Sequence, residues 1–204
     1  MDLVCRGALD ARRVAMLPAA WNPPTLAHLA LAHAALEFAD EVLLVLPRVL
    51  PHKEFEHAGF DLRLEWLRRI AAARAGLGVG VTEGGLFLDM ARALRSADSN
   101  VKQIYVVCGR DAAERFLRWP YESEPGAIEQ LQEFSLLVAP RGVASTPTDG
   151  FPPEMGHASI HTLNLDSNLL DVSSTVVRKR IGQGEPWIHL VRHEIAGEAG
   201  GIYR

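Results

Sequence analysis

The chain has 204 residues, 48% of them hydrophobic, enough for one large domain with a full core. A formal net charge of −4 and an isoelectric point near 6.1 exclude the broadly basic surface that holds a nucleic-acid polymer, while leaving room for a local basic pocket around a small anion. Cys5 and Cys108 are too far apart in sequence to suggest a disulfide framework, residues 1–13 lack the apolar core of a secretory signal, and no apolar run reaches the length of a membrane span. The expectation is a cytoplasmic protein without membrane association.

The first strand-like run, residues 14–17, leads into Trp21-Asn22-Pro23-Pro24-Thr25-Leu26-Ala27-His28, a proline-bearing turn that opens a helix predicted over 26–39. Unpaired N–H groups of such a turn and the helix N-terminus attract anions, and Thr25 and His28, three residues apart, share one helix face. A strand over 41–46 contains the continuously apolar Val42-Leu43-Leu44-Val45-Leu46, as befits a strand buried on both faces of a parallel sheet. The loop 47–60 carries Pro51-His52-Lys53, and Lys53 stands where a cation would neutralise phosphate. Then come a helix over 62–75, a strand over 77–82, a helix over 87–97 and a strand over 103–108. Gly109-Arg110-Asp111 follows that strand; a glycine there permits close backbone approach, and Asp111 can accept hydrogen bonds from ribose hydroxyls or cap the next helix. That helix, 112–119, ends at Trp119, which can stack on a flat ring or serve as a rim residue. A helix over 128–134 and strands over 135–139 and 159–163 complete the alternating part, separated by a Pro-, Thr-, Ser- and Gly-rich loop over 141–156.

This alternation predicts a doubly wound α/β domain whose ligand sits at the carboxyl ends of parallel strands. From residue 171 the chain changes habit, with helices predicted over 174–182 and 187–198 in a C-terminal part of the same domain. Ser173-Ser174-Thr175 at the start of the first can satisfy the helix N–H groups or hold phosphate oxygens, and Arg178 follows on the same face. Alone, each short motif is more often an ordinary helix cap. His189 and His193, four apart on the last predicted helix, have zinc-ligand spacing, but Leu190 stands where the protease pattern needs glutamate, and they read as a solvated helix face.

Taken together and in order, these segments resemble the nucleotidyltransferase superfamily with (H/T)-x-x-H and S-S-T-x-x-R motifs, and within it nicotinate or nicotinamide mononucleotide adenylyltransferases. Trp21 to His28 stands at the first motif, Pro51-His52-Lys53 and Leu62-Arg63-Leu64 follow at the spacing of the bacterial branch, Gly109-Arg110-Asp111 matches G-x-D, and Trp119 a downstream tryptophan. Arg141 is set against a basic residue after the next strand, Val172 to Arg178 matches the second motif, and Gly201-Ile202-Tyr203 fits the family's tail. Three places depart from the pattern, one of them Ala27, which replaces a common glycine between the two polar positions. Pro18-Ala19-Ala20 replaces glycine-rich positions, where alanine methyls would narrow the approach to nucleotide or forbid a positive φ. Gly85-Leu86-Phe87-Leu88-Asp89 replaces a Ser-Tyr-Thr-x-Asp segment that helps read the pyridine ring, keeping only the aspartate.

The resemblance implies a Rossmann-like nucleotidyltransferase fold and transfer of AMP from ATP to nicotinate or nicotinamide mononucleotide, with release of pyrophosphate, in NAD biosynthesis. His28, Thr25, Lys53 and Arg178 would carry the catalytic charge stabilisation. Asn22, Ser173, Ser174, Thr175, Gly109, Asp111 and Arg141 would bind nucleotide, and Trp119 and Phe87 the acceptor. Mg²⁺ is expected with ATP, held by water and phosphate with few protein ligands. Alternatives are another small phosphate acceptor, CTP in place of ATP, or a non-catalytic nucleotide-binding relative. A homo-oligomer is compatible with the sequence.

Overall fold

The computed structural model describes residues 1–49, 57–122, 125–139 and 159–204. Seven strands form one sheet: β1 (Asp2–Cys5), β2 (Arg13–Pro18), β3 (Glu41–Pro47), β4 (Leu77–Thr82), β5 (Gln103–Gly109), β6 (Ser135–Ala139) and β7 (Ile160–Thr162). The helices are α1 (Leu26–Ala35), α2 (Phe60–Ala72), α3 (Phe87–Ala97), α4 (Arg110–Arg118), α5 (Ala127–Gln130), α6 (Ser174–Gln183) and α7 (His193–Ile202).

The strand order is β1-β4-β3-β2-β5-β6-β7, parallel except for β1, which pairs antiparallel with β4. Successive connections run outward in one direction from β2 through β3 to β4, then cross back to β5 on the other side of β2. Beside β2 and β5 the order therefore reverses, which opens a crevice above their carboxyl ends. The β2–β5 register, Met16 opposite Val106, sets the turn after Pro18 next to the turn after Gly109.

Alternating side chains of the central strands feed two cores. Ala15 and Leu17 of β2 and Val42, Leu44 and Leu46 of β3 pack with α1, α2, α6 and α7. Val14, Met16, Leu43 and Val45 face the other way, onto α3, α4 and α5. Every residue of β3 is buried, as its uninterrupted apolar run requires of a strand covered on both sides. The doubly wound α/β architecture expected from the sequence is present.

The differences from expectation are local. β1 went unpredicted because it is a short, half-exposed edge strand with a charge in it. It comes so close to β4 that a Cβ on Gly78 would lie 2.8 Å from the Cys5 carbonyl oxygen, a contact only glycine avoids. α1 stops at Ala35, before the predicted 39, because the chain must turn through Leu36–Asp40 to enter β3, with Asp40 accepting the Arg12 and Arg13 amides. The helix predicted over 128–134 is a single turn, Ala127–Gln130. The one predicted over 187–198 is two elements, a 3₁₀ turn at Ile188–Leu190 and then α7. Among the described residues, no helix is long and apolar enough to cross a membrane.

Candidate active site

The turn between β2 and α1 is held at almost every step. The Val45 carbonyl of β3 accepts both the Ala19 amide at 3.2 Å and the Trp21 indole N–H at 2.8 Å. Trp21 is fully buried and adopts φ +54°, a left-handed conformation unusual for a bulky side chain, which the buried indole anchor keeps in place. Glycine-like freedom is thus required at Trp21 and not at Ala19 or Ala20, neither of which has a positive φ. The expected obstruction from those two alanines by a forbidden φ is corrected accordingly.

Thr25 caps α1, and with His28 it forms a capping box. His28 Nδ1 accepts the Thr25 amide at 3.1 Å and lies 2.7 Å from Thr25 Oγ1. With Nδ1 accepting, a neutral ring carries its proton on Nε2, so the opposite nitrogen is the donor. The ring also leans on the Trp21 indole, with centroids 4.9 Å apart. Thr25 itself is 0% exposed, and its hydroxyl lies 2.7 Å from His28 Nδ1 and accepts the His28 amide at 3.5 Å. Thr25 acts by aiming the imidazole.

The start of α6 docks on the same turn. Ser173 caps the helix by accepting the Val176 amide at 3.2 Å. Ser174 Oγ donates to the Pro23 carbonyl at 2.7 Å, and the Arg178 guanidinium donates to the Asn22 carbonyl at 2.6 Å and to Thr175 Oγ1 at 3.4 Å. Arg178 is half-buried, because part of its donor fork is spent on the turn. Two motifs some 150 residues apart in sequence are therefore one structure, a turn whose carbonyls are held by the residues of a helix N-terminus.

Three contributors were not singled out from the sequence. Arg63 of α2 is 2% exposed and donates to the Ala20 carbonyl at 2.8 Å; burial lowers its pKa. Tyr203, just beyond α7, donates its phenol O–H to Asn22 Oδ1 in a buried contact and meets the His57 ring edge-on at 5.6 Å. Trp21 supplies the turn's geometry. All three stand in segments that the sequence matches to the family, and Arg63 is also legible as an arginine embedded in the otherwise apolar inward face of α2.

Across the crevice, Gly109 ends β5 and serves as the N-cap of α4 with φ −74°, and a Cβ there would meet nothing within 4 Å. Its surroundings, not its backbone conformation, leave space for an approaching ligand. Asp111, exposed in the first turn of α4, shares a cavity of about 340 Å³ with Glu114, Arg115, Arg118, Trp119 and Pro120, and Trp119 is 52% exposed. Phe87 does not line this cavity; it packs against Phe116 and Phe134 at 5.6 and 6.3 Å. Lys53 and Arg141 lie outside the described residues. The zinc alternative loses its geometry, because His189 sits on the 3₁₀ turn and His193 begins α7 with its side chain 81% exposed. Among the described residues, no group of three or more metal-ligating side chains converges.

The chain thus has a doubly wound sheet with an anchored, imidazole-bearing turn at its switch point, closed by a serine-capped helix. No family model matches the chain. It is 26% identical over 203 residues to a protein of Listeria welshimeri described as a probable nicotinate-nucleotide adenylyltransferase, covering 91% of this chain and 98% of the relative. A protein of Coprothermobacter proteolyticus with the same description is 23% identical over 195 residues, covering 90% of each. Among solved structures, a Plasmodium falciparum nicotinic acid mononucleotide adenylyltransferase complexed with NaAD superposes with a TM-score of 0.68 at 14% identity, over 92% of this chain and 94% of that one. The chain thus resembles nicotinate-nucleotide adenylyltransferases along nearly its whole length and shares their fold.

Proposed function

We propose that the protein is a nicotinate-nucleotide adenylyltransferase, joining AMP from MgATP to nicotinate mononucleotide and releasing pyrophosphate. The observation that carries this reading is the union of Thr25–His28 with Ser174 and Arg178 at the carboxyl end of β2. The full-length similarity to adenylyltransferases supports it.

The reaction is attack by a 5′-phosphate oxygen of the acceptor on the α-phosphorus of ATP; the P–O bond to the β-phosphate breaks and pyrophosphate leaves. It needs alignment and charge stabilisation, with no protein nucleophile. In this reading His28 Nε2–H donates to an oxygen at the α/β bridge, where charge grows as the bond to pyrophosphate loosens. The N–H groups at the start of α6, with Ser173 and Thr175, face the β- and γ-phosphates. Arg178, half-buried on the turn, adds positive potential for the leaving pyrophosphate, and Lys53 and Arg141 add further charge. Mg²⁺ enters with ATP as part of the substrate. Asp111 receives a ribose hydroxyl, and the exposed Trp119 face stacks on the acceptor ring.

The test is pyrophosphate release from ATP and Mg²⁺ with a panel of acceptors. Nicotinate mononucleotide should give the highest kcat/KM. If nicotinate and nicotinamide mononucleotides both fail while another phosphate turns over, or if CTP replaces ATP, the assignment is wrong. If ATP binds but no acceptor yields pyrophosphate above the His28→Ala background, the protein is a nucleotide-binding relative without this activity.

A further inference from the structure

The turn carrying His28 is bound by side chains from two helices and from the residue that follows a third. Arg63 of α2 holds the Ala20 carbonyl, Ser174 and Arg178 of α6 hold those of Pro23 and Asn22, and all these bonds go to the backbone. One contact differs in kind. The Tyr203 phenol donates to the side-chain oxygen of Asn22, between the strained Trp21 and the prolines that enter α1. Tyr203 is 5% exposed and Asn22 6% exposed, so neither has water as a ready substitute partner. The same ring meets His57, the first described residue after the segment that contains Lys53. The guanidiniums of Arg63 and Arg178 both act electrostatically on the phenol, and burial raises its pKa, so it remains a donor across the neutral range.

We propose that Tyr203 is a positioning residue for the candidate active site: its hydroxyl, acting through Asn22, fixes the turn that aims His28 and so links the C-terminal end of the chain to turnover. The consequence for turnover rests on the adenylyltransferase reading; the effect on the turn does not. A purely structural Tyr203 would only pin α7 to the domain. α7 has its own tether, however, because Glu198 accepts the Trp66 indole N–H and an Arg69 N–H, both at 2.7 Å. Two tryptophan indoles therefore report separately, Trp21 on the turn and Trp66 on the docking of α7.

The experiment is hydrogen exchange of the two indole N–H groups, followed by NMR without nucleotide, in the wild-type protein, Tyr203→Phe, Asn22→Ala and the double variant. Tyr203→Phe keeps the ring against His57 and removes only the donor. The expected result is exchange at Trp21 faster by about tenfold, from loss of one buried hydrogen bond, with Trp66 unchanged. Asn22→Ala should behave alike, and the double variant should be no faster than Asn22→Ala. Pyrophosphate release by Tyr203→Phe should fall about tenfold in kcat/KM. Equal acceleration at both indoles would assign Tyr203 to helix docking and overturn the proposal, as would no change at Trp21 or additive effects in the double variant. If Tyr203→Phe does not fold, Asn22→Ala alone decides between these outcomes. If the wild-type protein releases no pyrophosphate with any acceptor, the adenylyltransferase reading falls while the exchange data still judge Tyr203.

Discussion

At the amino ends of the central strands, Glu41 is fully buried and accepts hydrogen bonds from Arg6 at 2.8 Å and from the Gly7 and Ala8 amides. Arg6 also reaches Asp98 at 2.6 Å, and nearby Arg13 is paired with Asp40. At the carboxyl ends, Arg63 and Arg178 donate to backbone carbonyls, and among the described residues Arg178 forms no ion pair. The first end neutralises its cations with carboxylates and thereby ties β1, β3 and the Asp98 turn together. The second sets cations against carbonyl dipoles, which fixes their position on the turn. Under the proposed function the first arrangement serves folding and the second serves attraction of a triphosphate.

The contrast can be broken most sharply at Glu41. Glu41→Ala leaves Arg6 with Asp98 as its remaining carboxylate partner and three polar groups without their acceptor, and should lower stability by about 3–5 kcal/mol in denaturant titration. Turnover per folded molecule should not change; if it falls, the two ends are coupled. His28→Ala should show the reverse. Its kcat should drop about a hundredfold to a thousandfold, as for loss of one preorganised donor, with stability lowered by about 1 kcal/mol from the broken capping box. Thr25→Ala should follow it in direction with a smaller drop, since Thr25 works through the imidazole.

Arg178→Ala falls between the two, because that guanidinium both holds the turn and faces the site. We expect kcat/KM for ATP to fall about tenfold to several hundredfold, with a loss of about 1–3 kcal/mol in stability as the Asn22 carbonyl loses its donor. A stability loss with unchanged kcat/KM would reduce Arg178 to a brace. Trp119→Ala should raise the acceptor KM about tenfold without moving the ATP KM or the melting temperature, because the ring is 52% exposed and stacking on a base is the role assigned to it.

The smallest effect is on the acid side of stability. The Arg6 hydrogen bond holds the Asp98 carboxyl below its ordinary value of 3.8, and Arg13 does the same for Asp40. A carboxylate with a depressed folded pKa contributes stability that is present above the unfolded value and lost as pH falls through the folded one. Melting temperature should therefore decline as pH drops below about 4, and Asp98→Asn should flatten that decline. An unchanged slope would mean that Asp98 takes no part in closing the amino end.

The sequence by itself determined the layered α/β fold and named the two motifs that the structure brings together. Continuous apolar runs such as Val42 to Leu46 can be buried only between two helix layers, and the alternation of strand and helix leaves little choice of topology. It also carried both halves of the proposed phosphate site, because helix caps and turns depend on neighbours a few residues apart. What only the tertiary structure decided was which donor meets which acceptor. That Thr25 is enclosed, that Ser174 and Arg178 spend donors on the turn, that Trp21 takes the positive φ in place of Ala19 or Ala20, and that Tyr203 reaches Asn22 all depend on groups distant in sequence. Local pattern reports the period of a helix or strand; the partner of a buried polar group is set by how the layers close, and no spacing along the chain encodes it.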